Sequence, residues 1–415
     1  MLSSKAQSDE QQSRNLMKLT THGYWLVVAL LFCPVSIADV VIVNARLVAS
    51  PDSIAQPDTT IVVSNGKIKS IAQNVADRGI LAGVEVIDAG GRFVTAGFWN
   101  SHVHFTDPRL ATETQAMLDI MLLKYGFTSV LDTGSDLRNT LQIIAAIREG
   151  RLVGPDIFMA NGSLVYKDGT PSYLPGVQLP EVVTPEQAAA IVNGVLDMGV
   201  AGIKIFSGSF ISPTKTVLLP VVIIQAITRA AHKRGSFVIA HPTDRDGLVA
   251  AIDGGVDILA HTAPPAGVLE QKLLDRLVSN DISIVPTLKL WQWELNRHGV
   301  PEEDVSAYQS TGVQQLRDLH AAGVRVLFGT DVGYMQDFDT TDEFRLMAEA
   351  SLTYRDILNS LTTAPAAQYG KVSGIVGVGE VGDLVILDAD PLQDVTAFAD
   401  VWKTIRGGEV VFSKD

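Results

Sequence analysis

A chain of 415 residues that is 47% hydrophobic, with 35 glycines and 18 prolines, fits a large, turn-rich folded enzyme and excludes a disordered or fibrous protein. That length suits two or three domains, or one large barrel with a smaller companion. A formal charge of −14 with no lysine/arginine block repels phosphate backbones and anionic lipid, which argues against nucleic acid as a partner.

The first 38 residues read as an export signal. Met17-Lys18 opens a short basic stretch, Trp25 to Phe32 is almost continuously apolar, and Ser36-Ile37-Ala38 offers small residues at the two positions that define a cleavage site. The apolar run is shorter than the roughly 20 residues a membrane span needs. Met17 is a more ordinary signal start than Met1. An uncleaved anchor and a lipoprotein modified at Cys33 are the weaker readings, since Phe32 is bulky where a lipoprotein signal needs a small residue. Cleavage after Ala38 removes Cys33, the only cysteine, and leaves a mature chain with no disulfide and only nitrogen and oxygen donors for a metal. The expected location is the periplasm or the medium, with no stable membrane insertion once the signal is gone.

Residues 39–95 alternate short apolar strands with turn residues. Val40 to Asn44 and Thr60 to Val63 are two such strands, and Asn65-Gly66 is a strong hairpin turn into Ile68 to Ile71. Val84 to Ile87 and the run Gly90-Gly91-Arg92-Phe93-Val94 complete the block. Over residues 96–365 the pattern changes to strand and helix in alternation, with strands expected at 94–104, 128–133, 156–162, 201–206, 237–241, 258–262, 283–288 and 324–330. Amphipathic stretches such as Thr184–Met198, Val217–Arg234, Val268–Asn280 and Val305–Ala322 lie between them. Thr184-Pro185-Glu186-Gln187 is a helix start, and Gly235 and Gly323 sit where helix C-caps are expected. Eight alternations imply a closed parallel (β/α)8 TIM barrel. Residues 366–415 return to strands: Asp383 to Asp388 is a buried-strand pattern, and Val401 to Ile405, Gly407-Gly408 and Glu409-Val410-Val411 form a last hairpin. The two strand-rich ends are expected to build one small β-sandwich domain.

Chemistry gathers at the ends of the expected barrel strands. His102 and His104 flank Val103, so in an extended chain both imidazoles share a face. Lys204 stands between Ile203 and Ile205, on the opposite, inward face. His241 and His261 each end an apolar strand, and Asp331 does so with a carboxylate. Taken singly, each has a bland reading: a framework histidine, a salt-bridged lysine, a helix-capping aspartate. Independent framework residues have no reason to converge on one rim in this order, so the six are read as the ligand set of a two-metal hydrolase. An ammonium beside two dications would be repelled, and a low-dielectric rim favours its loss of a proton. The neutral amine of Lys204 can add carbon dioxide to form a carbamate (N6-carboxylysine), an anion able to bridge two cations. His22, His232, His298 and His320 carry no assigned role.

With these residues the chain resembles the metal-dependent amidohydrolase superfamily over nearly the whole mature length. The resemblance rests on Ala96-Gly97-Phe98…His102-Val103-His104, the Gly-Ile-Lys-Ile strand, Thr363-Ala364-Pro365-Ala366 and Gly382-Asp383-Leu384-Val385-Ile386-Leu387-Asp388 with Pro391-Leu392. It implies that His102 and His104 bind the more buried metal, His241 and His261 the more exposed one, carbamylated Lys204 bridges them, and Asp331 both ligates and carries the proton of a metal-bound hydroxide. Zinc is the expected metal, with manganese and iron as alternatives.

Departures from the family pattern narrow the substrate. Dihydroorotase-like and hydantoinase-like members carry an arginine two residues after the second histidine; here that residue is Thr106, and Arg109 lies three further on. His241-Pro242-Thr243-Asp244 and Lys204 disfavour nucleobase deamination. Tyr166, Tyr173, Trp291, Trp293 and Tyr334 lie in expected loops at the rim, where they either stack on substrate or pack the loops. The implied reaction is cleavage of a carbon–nitrogen bond in a dipeptide, N-acyl amino acid or cyclic amide. A lactonase or phosphotriesterase with the same centre is the alternative, and a non-catalytic barrel binding protein the less favoured one. A homo-oligomer is compatible with the sequence.

Overall fold

The computed structural model describes residues 40–73, 84–212, 214–370 and 374–414. The expected export signal at 1–38 lies outside them. No described helix is long and apolar enough to cross a membrane.

Seven parallel strands follow one another in chain order around the barrel: Phe98–Val103, Phe127–Asp132, Asp156–Leu164, Gly202–Phe206, Phe237–His241, Ile258–Ala260 and Ser283–Val285. Their residues alternate between two cores, as a two-residue side-chain period requires. Ile203, Ile205, Val238, Ala240, Leu259, Ile284 and Phe328 point outward into the core shared with the helices. Trp99, Leu131, Ala160, Ile239, Ile258, Ala260, Val285 and Leu327 form a second core with Ala364 and Tyr369 of helix Thr363–Tyr369. Lys204 is opposite in phase to Ile203 and Ile205, and His241 is in phase with Ile239, so the strand period itself sends both side chains inward.

The eighth expected strand, 324–330, is not a regular strand. The Leu327 amide donates to the Ile284 carbonyl (2.8 Å) and the Ile284 amide to the Arg325 carbonyl (2.9 Å) on one side. On the other side, the Ser101 amide donates to the Phe328 carbonyl (2.7 Å) and the His104 amide to the Val332 carbonyl (2.8 Å). Backbone hydrogen bonds therefore close the ring without a pleated strand. Asp331 has φ 63°, in the left-handed region, and a residue there cannot continue a pleat.

Strands from both chain ends join in one eight-stranded mixed sheet. Phe93–Ala96 runs parallel to Val40–Leu47 and antiparallel to Leu384–Leu387, whose far neighbour is Val401–Arg406. Val94, Leu384 and Ile386 face the sheet's own core, while Phe93, Val385 and Leu387 face the barrel's helices. Burial on both faces explains the unbroken Leu-Val-Ile-Leu run. The Asn65-Gly66 turn has φ 51° and 73°, both left-handed, as a two-residue hairpin needs.

Three expected elements are divided differently. The single strand at 94–104 is two strands in two sheets, switching at Gly97, where a Cβ would lie 2.2 Å from Thr128 Oγ1. The expected helix Val217–Arg234 begins as a strand, Lys215–Leu218, paired in a hairpin with Gly208–Ser212; helix Val221–His232 starts only after Pro220. The strand expected at 283–288 stops at Val285, and a helix, Leu288–Arg297, takes over after Pro286, so Trp291 and Trp293 lie on a helix and not in a loop.

Candidate metal centre

His102, His104, Lys204, His241, His261 and Asp331 all line one cavity of about 540 Å³. His102 lies within its strand and His104 directly after it; Lys204 is the middle residue of Gly202–Phe206, not at its end. His241 closes its strand, His261 follows one, and Asp331 follows the irregular eighth segment.

Asp331 is the hub. Its Oδ1 lies 3.0 Å from His104 Nε2 and 3.4 Å from His102 Nε2, and its Oδ2 lies 4.0 Å from His261 Nε2. Ring centroids are 5.2 Å apart for His102 and His104, 4.5 Å for His102 and His261, and 4.8 Å for His241 and His261. Ligating atoms of His102, His261 and Asp331 fall within 4.8 Å of one another. Both ring nitrogens of His102 and Oδ1 of Asp331 are buried without a hydrogen-bond partner. Polar atoms left in that state are costly unless another group satisfies them, and a cation would do so. The residues therefore fit a metal.

Burial pushes the imidazoles of His102, His241 and His261 well below their usual value, and the Lys204 charge adds to the effect in each. Neutral imidazole is the ligating form. Burial also lowers the Lys204 amine to about 8, with Asp331 pulling the other way. Neighbouring groups position these residues, Thr287 from behind the ring and Thr133 at the same His104 nitrogen that faces Asp331. His261 Nδ1 lies 2.6 Å from Thr287 Oγ1, His104 Nε2 lies 3.3 Å from Thr133 Oγ1, and Asn100 Oδ1 accepts from the amides of His102 and Thr330 (3.2 Å each). His261 (φ 75°), Thr287 (φ 45°) and Asp331 (φ 63°) all adopt left-handed backbone, which costs energy and needs a surrounding structure to hold it.

The sequence profile of the amidohydrolase family matches residues 93–411. The chain belongs to the amidohydrolase family. A curated relative, the L-hydantoinase of Paenarthrobacter aurescens, is 41% identical over 69 residues, which span 17% of this amidohydrolase and only 14% of the relative's length. Among solved structures, a Xaa-Pro dipeptidase superposes with TM-score 0.79 at 22% identity, covering 90% of this chain and 99% of that one. A protein from Bifidobacterium longum, provisionally described as a prolidase, superposes with TM-score 0.77 at 25% identity, covering 91% and 95%.

Above its polar floor the amidohydrolase cavity is walled by two groups of side chains. One is the segment after the third barrel strand with Leu174, Val177 and Leu179, tied to the Gly208–Ser212 hairpin by the Ser172 amide donating to the Phe210 carbonyl (2.9 Å). The other is helix Leu288–Arg297, which presents Leu290, Trp291, Glu294 and Leu295, with His298 just beyond its end. Of the aromatics singled out from sequence, Tyr173, Trp291 and Tyr334 line the cavity; Tyr166 and Trp293 do not. Tyr308 lines it too and was not foreseen. The spacing 291, 294, 295, 298 is one helical face and was the available signal. Thr106 donates to the Gly333 carbonyl (3.0 Å), and Arg109 is turned away into a two-point bond with Asp107.

Glu343 anchors that helix and was legible in no local pattern. It is 1% exposed, and its two carboxylate oxygens accept from the amides of Leu288 (2.9 Å) and Lys289 (2.8 Å). Burial pushes its carboxyl up to about 7, against those amides and Lys289. Because the folded-state value lies above an unfolded carboxyl near 4.5, the stability linked to Glu343 is fully present below the unfolded value and is lost as pH rises through about 7. Glu343→Gln is therefore expected to flatten the decline in urea midpoint between about pH 5 and pH 8 relative to the parent. Parallel declines in parent and variant would refute this.

Proposed function

We propose that this amidohydrolase cleaves a carbon–nitrogen bond in a small, largely apolar substrate, drawn from dipeptides, N-acyl amino acids and cyclic amides. The observation that carries the reading is the buried convergence of Asp331 with His102, His104 and His261, with atoms left unpartnered, beneath an apolar-walled cavity.

His102, His104 and Asp331 would hold one divalent ion and His241 and His261 a second, zinc being the expected metal, with Lys204 between them. Divalent ions so bound supply Lewis acidity, which lowers the pKa of water toward about 7 and polarises the scissile carbonyl. Asp331 accepts the water's proton on a carboxylate oxygen as the carbonyl carbon is attacked, and returns it to the departing amine nitrogen as the C–N bond breaks. Lys204 adds carbon dioxide through its neutral amine, forming an N–C bond and releasing one proton; the carbamate then presents two oxygens where an ammonium stood. Thr287 hydrogen-bonds His261 at Nδ1 and leaves Nε2 free for a cation, and the Leu174–Leu179 and Leu290–Leu295 walls exclude bulk water. Export through residues 1–38 belongs to the same reading; an N-terminus beginning near residue 39 on protein recovered from the cell envelope would support it.

Metal analysis of the purified protein, with and without added bicarbonate, tests the centre. A side-by-side panel of amides, lactones and phosphotriesters tests the reaction. Turnover of amides above the other two is expected. Preference for lactones or phosphotriesters would move the assignment to those classes, and no turnover with full metal loading would favour a binding role.

A further inference from the structure

The charges inside the cavity select its substrate more narrowly than its apolar walls do. Among the described residues that line it, and apart from the six at the floor and His298, one side chain bears a charge: Glu294. No arginine lines it, and Arg109, the nearest candidate by sequence, is held by Asp107. We propose that Glu294 makes this cavity a site for amides that carry a cationic or hydrogen-bond-donating group at the end of an apolar body, and that it rejects those ending in a free carboxylate. This rests on the hydrolase reading above and narrows it: of the classes named there, free-acid dipeptides and N-acyl amino acids would be disfavoured, and their amides and cyclic amides retained.

The geometry around Glu294 supports a face turned toward substrate. Its side chain is 16% exposed. Oε2 accepts from the Tyr334 hydroxyl (3.0 Å) and lies 3.2 Å from Arg297 Nε. Arg297 packs over the Trp293 and Tyr334 rings and does not line the cavity, so it fixes the carboxylate from outside. Oε1 has one partner, Nε2 of His298 at 3.0 Å, and the His298 side chain is 53% exposed. Rotation of His298 into solvent would present Oε1 to a substrate ammonium. Tyr334, Trp291 and Leu295 beside it lower the local dielectric, which strengthens attraction and repulsion alike. A substrate carboxylate brought there would meet the Glu294 carboxylate, whose one guanidinium partner, Arg297, bonds it from outside the cavity and is not offered to substrate, a device that discriminates by repulsion.

The test is a matched series sharing one N-acyl-phenylalanine amide bond and differing only at the far end: free carboxylate, carboxamide, or aminoethyl amide. With the metal-loaded parent, kcat/KM is expected to rise from the first to the last by at least about 10-fold. In Glu294→Gln the spread should shrink to about 3-fold or less. A preference for the free acid, or an unchanged spread in the variant, would overturn the proposal. If no member of the series is turned over, the hydrolase reading is decided by the substrate panel above and not by this series. The charge preference is then read by calorimetric titration with hexylamine: weaker binding to Glu294→Gln than to the parent supports it, and equal binding defeats it.

Discussion

Replacing Asp331 with asparagine is expected to lower kcat by about 10³-fold with little change in KM. The amide is nearly isosteric, so the left-handed turn and the Asp331 amide bond to the His102 carbonyl (2.8 Å) survive. What disappears is a basic oxygen 3.0 Å from His104 and 3.4 Å from His102, and with it the proton route proposed above. A residue that only oriented substrate would show the reverse pattern, a raised KM at constant kcat. Steady-state kinetics on any amide the parent cleaves separates the two, and near-parental kcat in the variant would remove Asp331 from the reaction.

The second large effect is expected at Lys204. It is 2% exposed and stands in the middle of a strand; as an ammonium it would depress the basicity of His102, His241 and His261 together. A carbamate reverses the sign of that interaction, because an anion favours bound cations where an ammonium repels them. Lys204→Ala is expected to lose at least about half the bound metal and to lower kcat/KM by about 10⁴-fold. Lys204→Glu, which restores an anion on a shorter arm, is expected to recover metal more than activity. Elemental analysis after dialysis, paired with kinetics, measures both. Lys204→Ala that loads and turns over like the parent would exclude the bridging role.

The legible parts of the fold are those set by local periodicity. Ile203-Lys204-Ile205 and Val238-Ile239-Ala240-His241 state in three or four residues which side chain faces inward, because strand geometry alternates regardless of what lies elsewhere. His102 and His104 share a face for the same reason. Thr184 with Pro185 starts its helix as expected, Thr184 Oγ1 accepting from the Gln187 amide at 3.2 Å, since capping is decided within one turn.

The tertiary structure decided matters that local pattern cannot encode. The stretch from Phe93 to Val103 is divided between two sheets at Gly97, where Thr128 leaves no room for a side chain. The segment 325–332 closes the barrel without pleating because its bonds run to Ile284 on one side and to Ser101 and His104 on the other. Helix Leu288–Arg297 begins at a residue with no side-chain cap of its own, and the carboxylate that satisfies its first amides comes from Glu343, 55 residues away from Leu288. That helix in turn decides that Glu294, and no arginine, faces the cavity. Sequence spacing fixes which groups share a face of one element. Which faces meet, and which charges face one another across a cavity, depends on long-range closure that no short window of residues contains.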